Sequence, residues 1–307
     1  MKGMNRLAAA VLALMLIRNV GAEDLLERFR AFAGIGGEEE KLPSEDITPK
    51  RGKNSPLPEN KPEGKEAAPT AVSSSPAMNW YCRHMKDGAR PPIPPEMGEL
   101  EQYGGCYLGA DEKVIYLTFD AGYENGNVEK ILDVLKAEQV PGAFFILENL
   151  VLRNTELVKR MIAEGHTVCN HTARHKDMTA MTSKEEFAKE LEAMERVYQE
   201  TMGAELAKYY RPPEGRFNTD NLKWAQELGY RTILWSFAYA DWDNNSQMSP
   251  EKAKAKVLAG THNGEVLLLH PTSATNAAIL GELIRSWKNM GYRFGTLDEL
   301  TGGTANP

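Results

Sequence analysis

Seven short apolar runs lie between residues 114 and 297, alternating with six helical patterns, and five of the runs stop on polar residues. That alternation is the strongest constraint on the fold. Strand–helix repetition of this kind implies a parallel sheet built with right-handed crossovers. An open doubly wound sheet would also satisfy it, but no Gly-rich dinucleotide loop follows the first run. Polar residues delivered from so many strand ends suit a closed or nearly closed barrel, with its site at the carboxyl face. The first run, from Val114 to Phe119, ends on Asp120, and Gly122 and Gly126 then mark a turn. A carboxylate at the end of a buried parallel strand sits where α/β folds keep their chemistry. Taken alone, an aspartate capping the next helix explains it equally well.

The remaining runs are 142–147, 167–171, 209–211, 231–237, 266–270 and 292–297. Between them, Val128, Ile131, Leu132 and Leu135 share one helical face. Asn154 is placed to cap a helix stopped by Gly165, and Ser183 with Glu186 forms a capping box for a long helix ending at Gly203. Helices are also predicted over 219–228, from Ser249-Pro250 onward, and over 276–290.

The beginning of the chain reads differently. Lys2 and Arg6 precede an apolar run from Leu7 to Ile17, and Val20-Gly21-Ala22 follow, which is the layout of a secretory signal over 1–22. An uncleaved anchor is the alternative. Eleven apolar residues are too few to span a bilayer, for which about 20 are needed. Leu25, Leu26, Phe29 and Phe32 make a weak amphipathic pattern. From 37 to 77 the composition shifts to Pro, Glu, Lys, Ser and Gly, so 23–77 reads as a solvated linker ahead of a domain over 78–303. A net charge of -7 without a long basic run argues against nucleic acid as a partner. Cys82 and Cys106 could pair in an exported protein or remain two separate buried thiols, and Cys169 fits a barrel interior.

Chemistry concentrates at the strand ends. His171 and His175 lie four apart, a spacing at which both imidazoles can reach one ion. Arg211, followed by Pro212-Pro213, can hold a nearby carboxylate ionised. Asp241-Trp242 supplies a second carboxylate, and His270, fixed by an apolar run and stopped by Pro271, is suited to general acid work near neutrality. Each of these alone is weak: a core histidine, a surface ion pair or a solvated charge would explain it.

Together, Thr118-Phe-Asp-Ala-Gly122, His171-x3-His175, Arg211-Pro-Pro-x-Gly215, Asp241-Trp242 and Leu268-Leu-His270 resemble, in order, the five motifs of the NodB-type polysaccharide deacetylases, carbohydrate esterase family 4. The likeness covers about residues 78–300. The stretches 118–126, 235–238 and 270–276 look like the family's sporulation-associated muramic-acid deacetylases, which help make the muramic δ-lactam of spore cortex. The resemblance implies a distorted (β/α) barrel of about seven parallel strands. It makes Asp120 the general base, and His171 and His175 the ligands of a divalent metal, with zinc the first candidate. Arg211 would orient Asp120 and be tethered by Asp241, His270 would protonate the leaving amine, and the backbone N–H near Glu214 would help hold the oxyanion.

Most of the family carries a second aspartate where this chain has Ala121, and the muramic-acid group typically has asparagine there. Alanine cannot coordinate, so a metal held here is bound more weakly, or its third position is filled by water or a neighbouring side chain. A muramic substrate carries a lactyl carboxylate, for which Arg216 and Arg174 are the candidate cations. Tyr123, Trp235, Tyr239 and Trp242 could wall a sugar groove or simply pack. The implied partner is the peptidoglycan glycan strand, after a muramoyl amidase has removed stem peptides, and the protein is expected to be a monomer. Two other readings stand beside this one. They are an N-acetylglucosamine deacetylase of peptidoglycan or chitin-like glycan, favoured by an acidic residue at the sugar and no cation in the groove, and a glycan-binding pseudoenzyme, motivated by Ala121.

Overall fold

A computed structural model describes residues 75–303. The expected signal segment, and the linker up to residue 74, lie outside the described residues. The described chain opens with β1 (Met78–Asn79) and a 3-10 turn at Pro95–Tyr103 before the first long strand, β2 (Val114–Ala121). Strands β3 (Ala143–Ile146), β4 (Thr167–Asn170) and β5 (Ala207–Tyr210) follow, then the short β6 (Arg216–Phe217) and β7 (Arg231–Thr232), then β8 (Glu265–Leu269) and β9 (Arg293–Phe294). The helices are α1 (Val128–Glu138), α2 (Glu148–Arg153), α3 (Thr155–Ala163), α4 (Lys184–Met202), α5 (Thr219–Glu227), α6 (Pro250–Gly260), α7 (Ala274–Asn289) and α8 (Leu297–Leu300). Among the described residues, no helix is long and apolar enough to cross a membrane.

The main sheet runs in the order β7-β5-β4-β3-β2-β8, with β9 also pairing β2, and every pairing in it is parallel. This matches the seven parallel strands expected. The run predicted over 231–237 differs. Only Arg231–Thr232 pairs with β5, while the Ser236 and Phe237 N–H groups donate to Val266 of β8 at 2.9 and 3.3 Å. The Ile233 N–H still reaches β5 at Tyr210 O, at 2.8 Å, while its neighbours bond the incoming segment at Cys106: the Cys106 N–H donates to Thr232 O, and its carbonyl accepts from Leu234 N–H, both at 2.8 Å. The chain therefore leaves one edge of the sheet, crosses and joins the other. That irregular crossing closes the barrel, which is the distorted form.

Period-two alternation sorts the strand residues into two layers. Ile115, Leu117, Phe119 and Ala121 pack with Phe144, Ile146 and the helices in one apolar cluster. Val114, Tyr116, Phe145, Cys169, Tyr209 and Val266 form the other, inner cluster, which places Cys169 in the barrel interior as expected. Thr118 and Asp120 share parity with the inner set. On α1, Val128, Ile131, Leu132 and Leu135 are buried as the spacing requires. Ser183 caps α4 by accepting from Glu186 N–H, while the Glu186 carboxylate reaches Thr182 rather than closing the box on Ser183. The helix expected after Asn154 is α3, with Asn154 at its N-cap position but making no side-chain cap bond. Cys82 and Cys106 are free thiols, not a disulfide. Burial raises both, Cys82 to about 11.

Candidate active site

The carboxyl ends of β2, β4, β5 and β8 deliver Asp120, His171, Arg211 and His270 to one end of the barrel. Arg211 is the keystone. Fully buried, it donates from Nη1 to Asp120 Oδ1 at 2.7 Å, from Nη2 to Thr118 Oγ1 at 2.9 Å, and from Nε to Ile233 O at 2.9 Å. Its guanidinium lies 4.1 Å over the Phe145 ring. Thr118 passes the restraint on by donating to Leu267 O at 2.8 Å. Two residues of the same strand parity thus receive one planar cation, a geometry that arginine can satisfy and lysine cannot. Burial disfavours the Asp120 charge, but Arg211, His171 and His270 outweigh it and hold the carboxyl below its ordinary value.

His171 is buried, and its Nδ1 lies 2.9 Å from Arg211 O. A carbonyl only accepts, so Nδ1 carries the proton, and burial lowers the imidazole to about 4. Its Nε2 therefore bears a lone pair at neutral pH, facing Asp120 Oδ2 at 3.6 Å. His175 is exposed, with its ring centroid 5.0 Å from that of His171. The loop that brings them together is strained: Thr172 has φ 71° and His175 φ 55°. It is held by Asn170 Oδ1, which accepts from Thr172 N–H at 2.8 Å, and by Thr172 Oγ1, which accepts from His175 N–H at 2.9 Å.

Two imidazoles, one with its Nδ1 committed to the Arg211 carbonyl and its Nε2 left to ligate, fit a divalent ion as a donor pair. The fit stops there. Ala121 packs with Phe119 and Ile146 and offers no donor, and among the described residues no group of three or more His, Cys, Asp or Glu is gathered to hold a metal.

Asp241 departs from its expected role. It makes no bond to Arg211; instead Oδ1 accepts from His270 Nδ1–H at 2.7 Å and Oδ2 from His270 backbone N–H at 2.8 Å. Burial opposes the imidazolium, yet the hydrogen bond and charge of Asp241, with Asp120, raise His270 above its ordinary value. Arg211 is tethered by the Ile233 carbonyl and Thr118, a partner that the sequence motif contained without revealing its use.

These groups open into a groove of about 690 Å³. Asp120, His171, His175 and His270 line it together with Tyr123, Trp235, Tyr239, Trp242, Glu214 and Gly215. Trp242 is 61% exposed and Tyr123 47% exposed, so they are free to meet a ligand, while Tyr239 is buried packing. Trp80, invisible to motif reading, completes a wall: its Nε1–H donates to Trp235 O at 2.9 Å and its backbone N–H to Gly215 O at 2.9 Å. Glu214 and Gly215 are consecutive left-handed residues, φ 58° and 65°. A Cβ on Gly215 would stand 2.6 Å from the Trp235 ring.

Neither Arg174 nor Arg216 lines the groove. Arg174 is exposed and pairs with Glu148 at 3.4 Å; Arg216 pairs with Asp177 at 3.0 Å. Sequence adjacency to a site residue does not set side-chain direction, and here both arginines turn toward surface carboxylates.

The polysaccharide deacetylase family model matches residues 108–233. Peptidoglycan-N-acetylmuramic acid deacetylase PdaA of Bacillus subtilis is 39% identical over 240 residues, 77% of this chain and 90% of that protein. The solved structure of PdaA, described as a family 4 carbohydrate esterase, matches with a TM-score of 0.71 at 37% identity, covering 74% of this chain and 97% of that one. Peptidoglycan-N-acetylglucosamine deacetylase PgdA of Listeria monocytogenes is 35% identical over 190 residues, 62% of this chain but 39% of PgdA.

Proposed function

The chain belongs to the polysaccharide deacetylase family, hydrolases that cleave the amide of acetylated sugars, and from that premise we propose that it removes the N-acetyl group of N-acetylmuramic acid in peptidoglycan. One observation carries the reading: a carboxylate paired with Arg211 and an imidazole bonded to Asp241, which raises it above its ordinary value, line the same groove.

In the mechanism we propose, Asp120 has Oδ1 occupied by Arg211, so Oδ2 is the oxygen that takes the proton of the attacking water. The water oxygen bonds to the acetyl carbon, the carbonyl electrons move to oxygen, and the backbone N–H of Glu214, in its left-handed turn, would donate to that charge. Collapse breaks the C–N bond as His270 Nε2–H protonates the nitrogen, while Nδ1–H stays on Asp241. Acetate and a free sugar amine result. His171 and His175 would hold a divalent ion, zinc in our reading, and when bound it supplies Lewis acidity toward the carbonyl oxygen. Family members are generally metal-dependent, which agrees with the imidazole pair. Trp242 and Tyr123 are placed to flank the sugar.

The substrate in this reading is glycan already stripped of stem peptide by a muramoyl amidase. The new amine then lies on the same sugar as the lactyl carboxylate, and ring closure between them gives the muramic δ-lactam of spore cortex. Such a substrate lies outside the cytoplasm, in keeping with the secretory pattern at 1–22 and a tethering linker over 23–77.

A second reading rests on the groove's charge. Glu214 lines it and no arginine or lysine does, which suits N-acetylglucosamine better than a sugar with a carboxylate. The test is mass spectrometry of intact and peptide-stripped peptidoglycan after incubation with the protein, with and without zinc. Loss of acetyl from muramic acid in stripped glycan supports the first reading, and loss from glucosamine the second. Binding without loss under every condition would make the protein a non-catalytic glycan binder, against the intact Asp120–Arg211 and Asp241–His270 pairs.

A further inference from the structure

Asp241 has a third partner that the five motifs do not account for. Asn276, on the first turn of α7, is fully buried, and its Nδ2 donates to Asp241 Oδ2 at 2.5 Å and to His270 O at 3.1 Å. Its Oδ1 accepts the Tyr239 hydroxyl, which is itself buried. The amide is locked in place from behind. Its backbone N–H donates to Ser273 Oγ at 3.1 Å, and Ser273 in turn bonds Gln247, whose Nε2 donates to Asp241 O at 2.9 Å.

We propose that Asn276 is a positioning residue for the deacetylation step, acting on His270 through Asp241. The inference rests on His270 being the acid of the proposed reaction. The physical case is a count of acceptor sites. Asp241 Oδ1 is committed to the imidazole, and Oδ2 has two donors, the His270 backbone N–H and Asn276. With Asn276 removed, Oδ2 keeps a single donor on the same residue that Oδ1 already serves. The carboxylate can then rotate about its Cβ–Cγ bond, and the imidazole loses its fixed direction toward the groove. An unmet buried carboxylate site is also costly, so rearrangement follows. Asn276 also bonds the His270 carbonyl, so one amide fixes both ends of the residue it serves. Asn276 does not line the groove, whereas Tyr239 and His270 do, so its effect on substrate binding should be small. The charged groups acting on His270 are Asp241, Asp120 and Arg211, and none of them is altered by the substitution.

The experiment is steady-state kinetics of the full chain with Asn276→Ala, on whichever peptidoglycan the native protein deacetylates, with Asp120→Asn alongside. Positioning residues of this kind are worth about 10–100-fold in activity. We expect kcat to fall by that range with KM nearly unchanged. A kcat within about twofold of native, or a loss carried by KM, overturns the proposal. Asp120→Asn separates the two claims: if it stays active, the acid–base reading fails, and if it is inert while Asn276→Ala keeps native kcat, only the role of Asn276 fails. Should Asn276→Ala not fold, NMR of the unmodified protein decides. The Asn276 side-chain amide signals should shift together with the His270 ring titration, and signals that stay fixed through it overturn the proposal.

Discussion

Asp241 holds His270 by both of its oxygens, one on the ring N–H at 2.7 Å and one on the main-chain N–H at 2.8 Å. A single carboxylate therefore fixes the tautomer, the ring plane and the backbone of the group that would deliver a proton. Asp120 is held by an unrelated device, the buried fork of Arg211. The base and the acid are thus oriented independently, each by a partner of opposite charge.

Asp241→Asn tests the acid side. The amide cannot accept from both N–H groups as the carboxylate does, and it no longer favours the imidazolium. Loss of general acid catalysis corresponds to about 10²–10⁴ in rate. The expected outcome is a kcat lower by that order with KM little changed, and a pH–rate profile whose alkaline limb moves to lower pH. Native kcat would mean that His270 needs no orienting carboxylate.

The native pH profile should be a broad bell. Burial opposes both charges, but Arg211 lowers Asp120 below its ordinary 3.8, and Asp241 raises His270 above its ordinary 6.5. The base is therefore ionised at all but strongly acid pH, and the acid keeps its proton beyond the usual imidazole range. In kcat/KM the acid limb, to which His171 contributes near 4, should lie below pH 5 and the alkaline limb above 6.5. An alkaline limb below 6.5 would contradict the Asp241–His270 assignment.

Metal affinity should be modest. Two imidazoles with Ala121 packed into the apolar layer fall short of the three protein ligands usual for catalytic zinc. Calorimetric titration of the chelator-treated protein should give weak zinc binding that His171→Ala or His175→Ala abolishes. Tight binding that survives both substitutions would place the ion elsewhere.

Glu265 makes a prediction about stability alone. It is fully buried at the start of β8, its Oε1 has no hydrogen-bond partner, and burial pushes its carboxyl well above the ordinary 4.5. A carboxyl raised in the folded state contributes stability that is complete below its unfolded value and declines as pH rises toward the folded one. Thermal melts should therefore show a downward slope in Tm above about pH 4.5 that Glu265→Gln flattens. Equal slopes in both proteins would show that Glu265 ionises freely in place.

Reading the strand ends located the site; reading its wiring did not succeed. Asp120, His171, Arg211 and His270 were legible because apolar runs with abrupt polar stops announce where a buried strand delivers a side chain. The partner of Asp241 was not, because 233–249 crosses the barrel without regular structure, and no periodicity shows which way its side chains turn. Arg174 and Arg216 failed for a related reason: a strained loop at Thr172 and a left-handed turn at Glu214 redirect their neighbours. Trp80 reaches the groove through a two-residue strand, too short to leave a pattern.

The turn at 212–215 separates two kinds of freedom. Pro212, Pro213 and the glycine at 215, hemmed in by Trp235 and Trp80, fix the main chain beside the reacting groups. Residue 214 lines the groove and is exposed. A mutation at 215 would damage the chemistry, whereas residue 214 can be exchanged with the backbone left where it is, preferably for asparagine or aspartate, which tolerate this conformation best. Substrate preference can therefore drift, or be engineered, at a position whose neighbours keep the enzyme working.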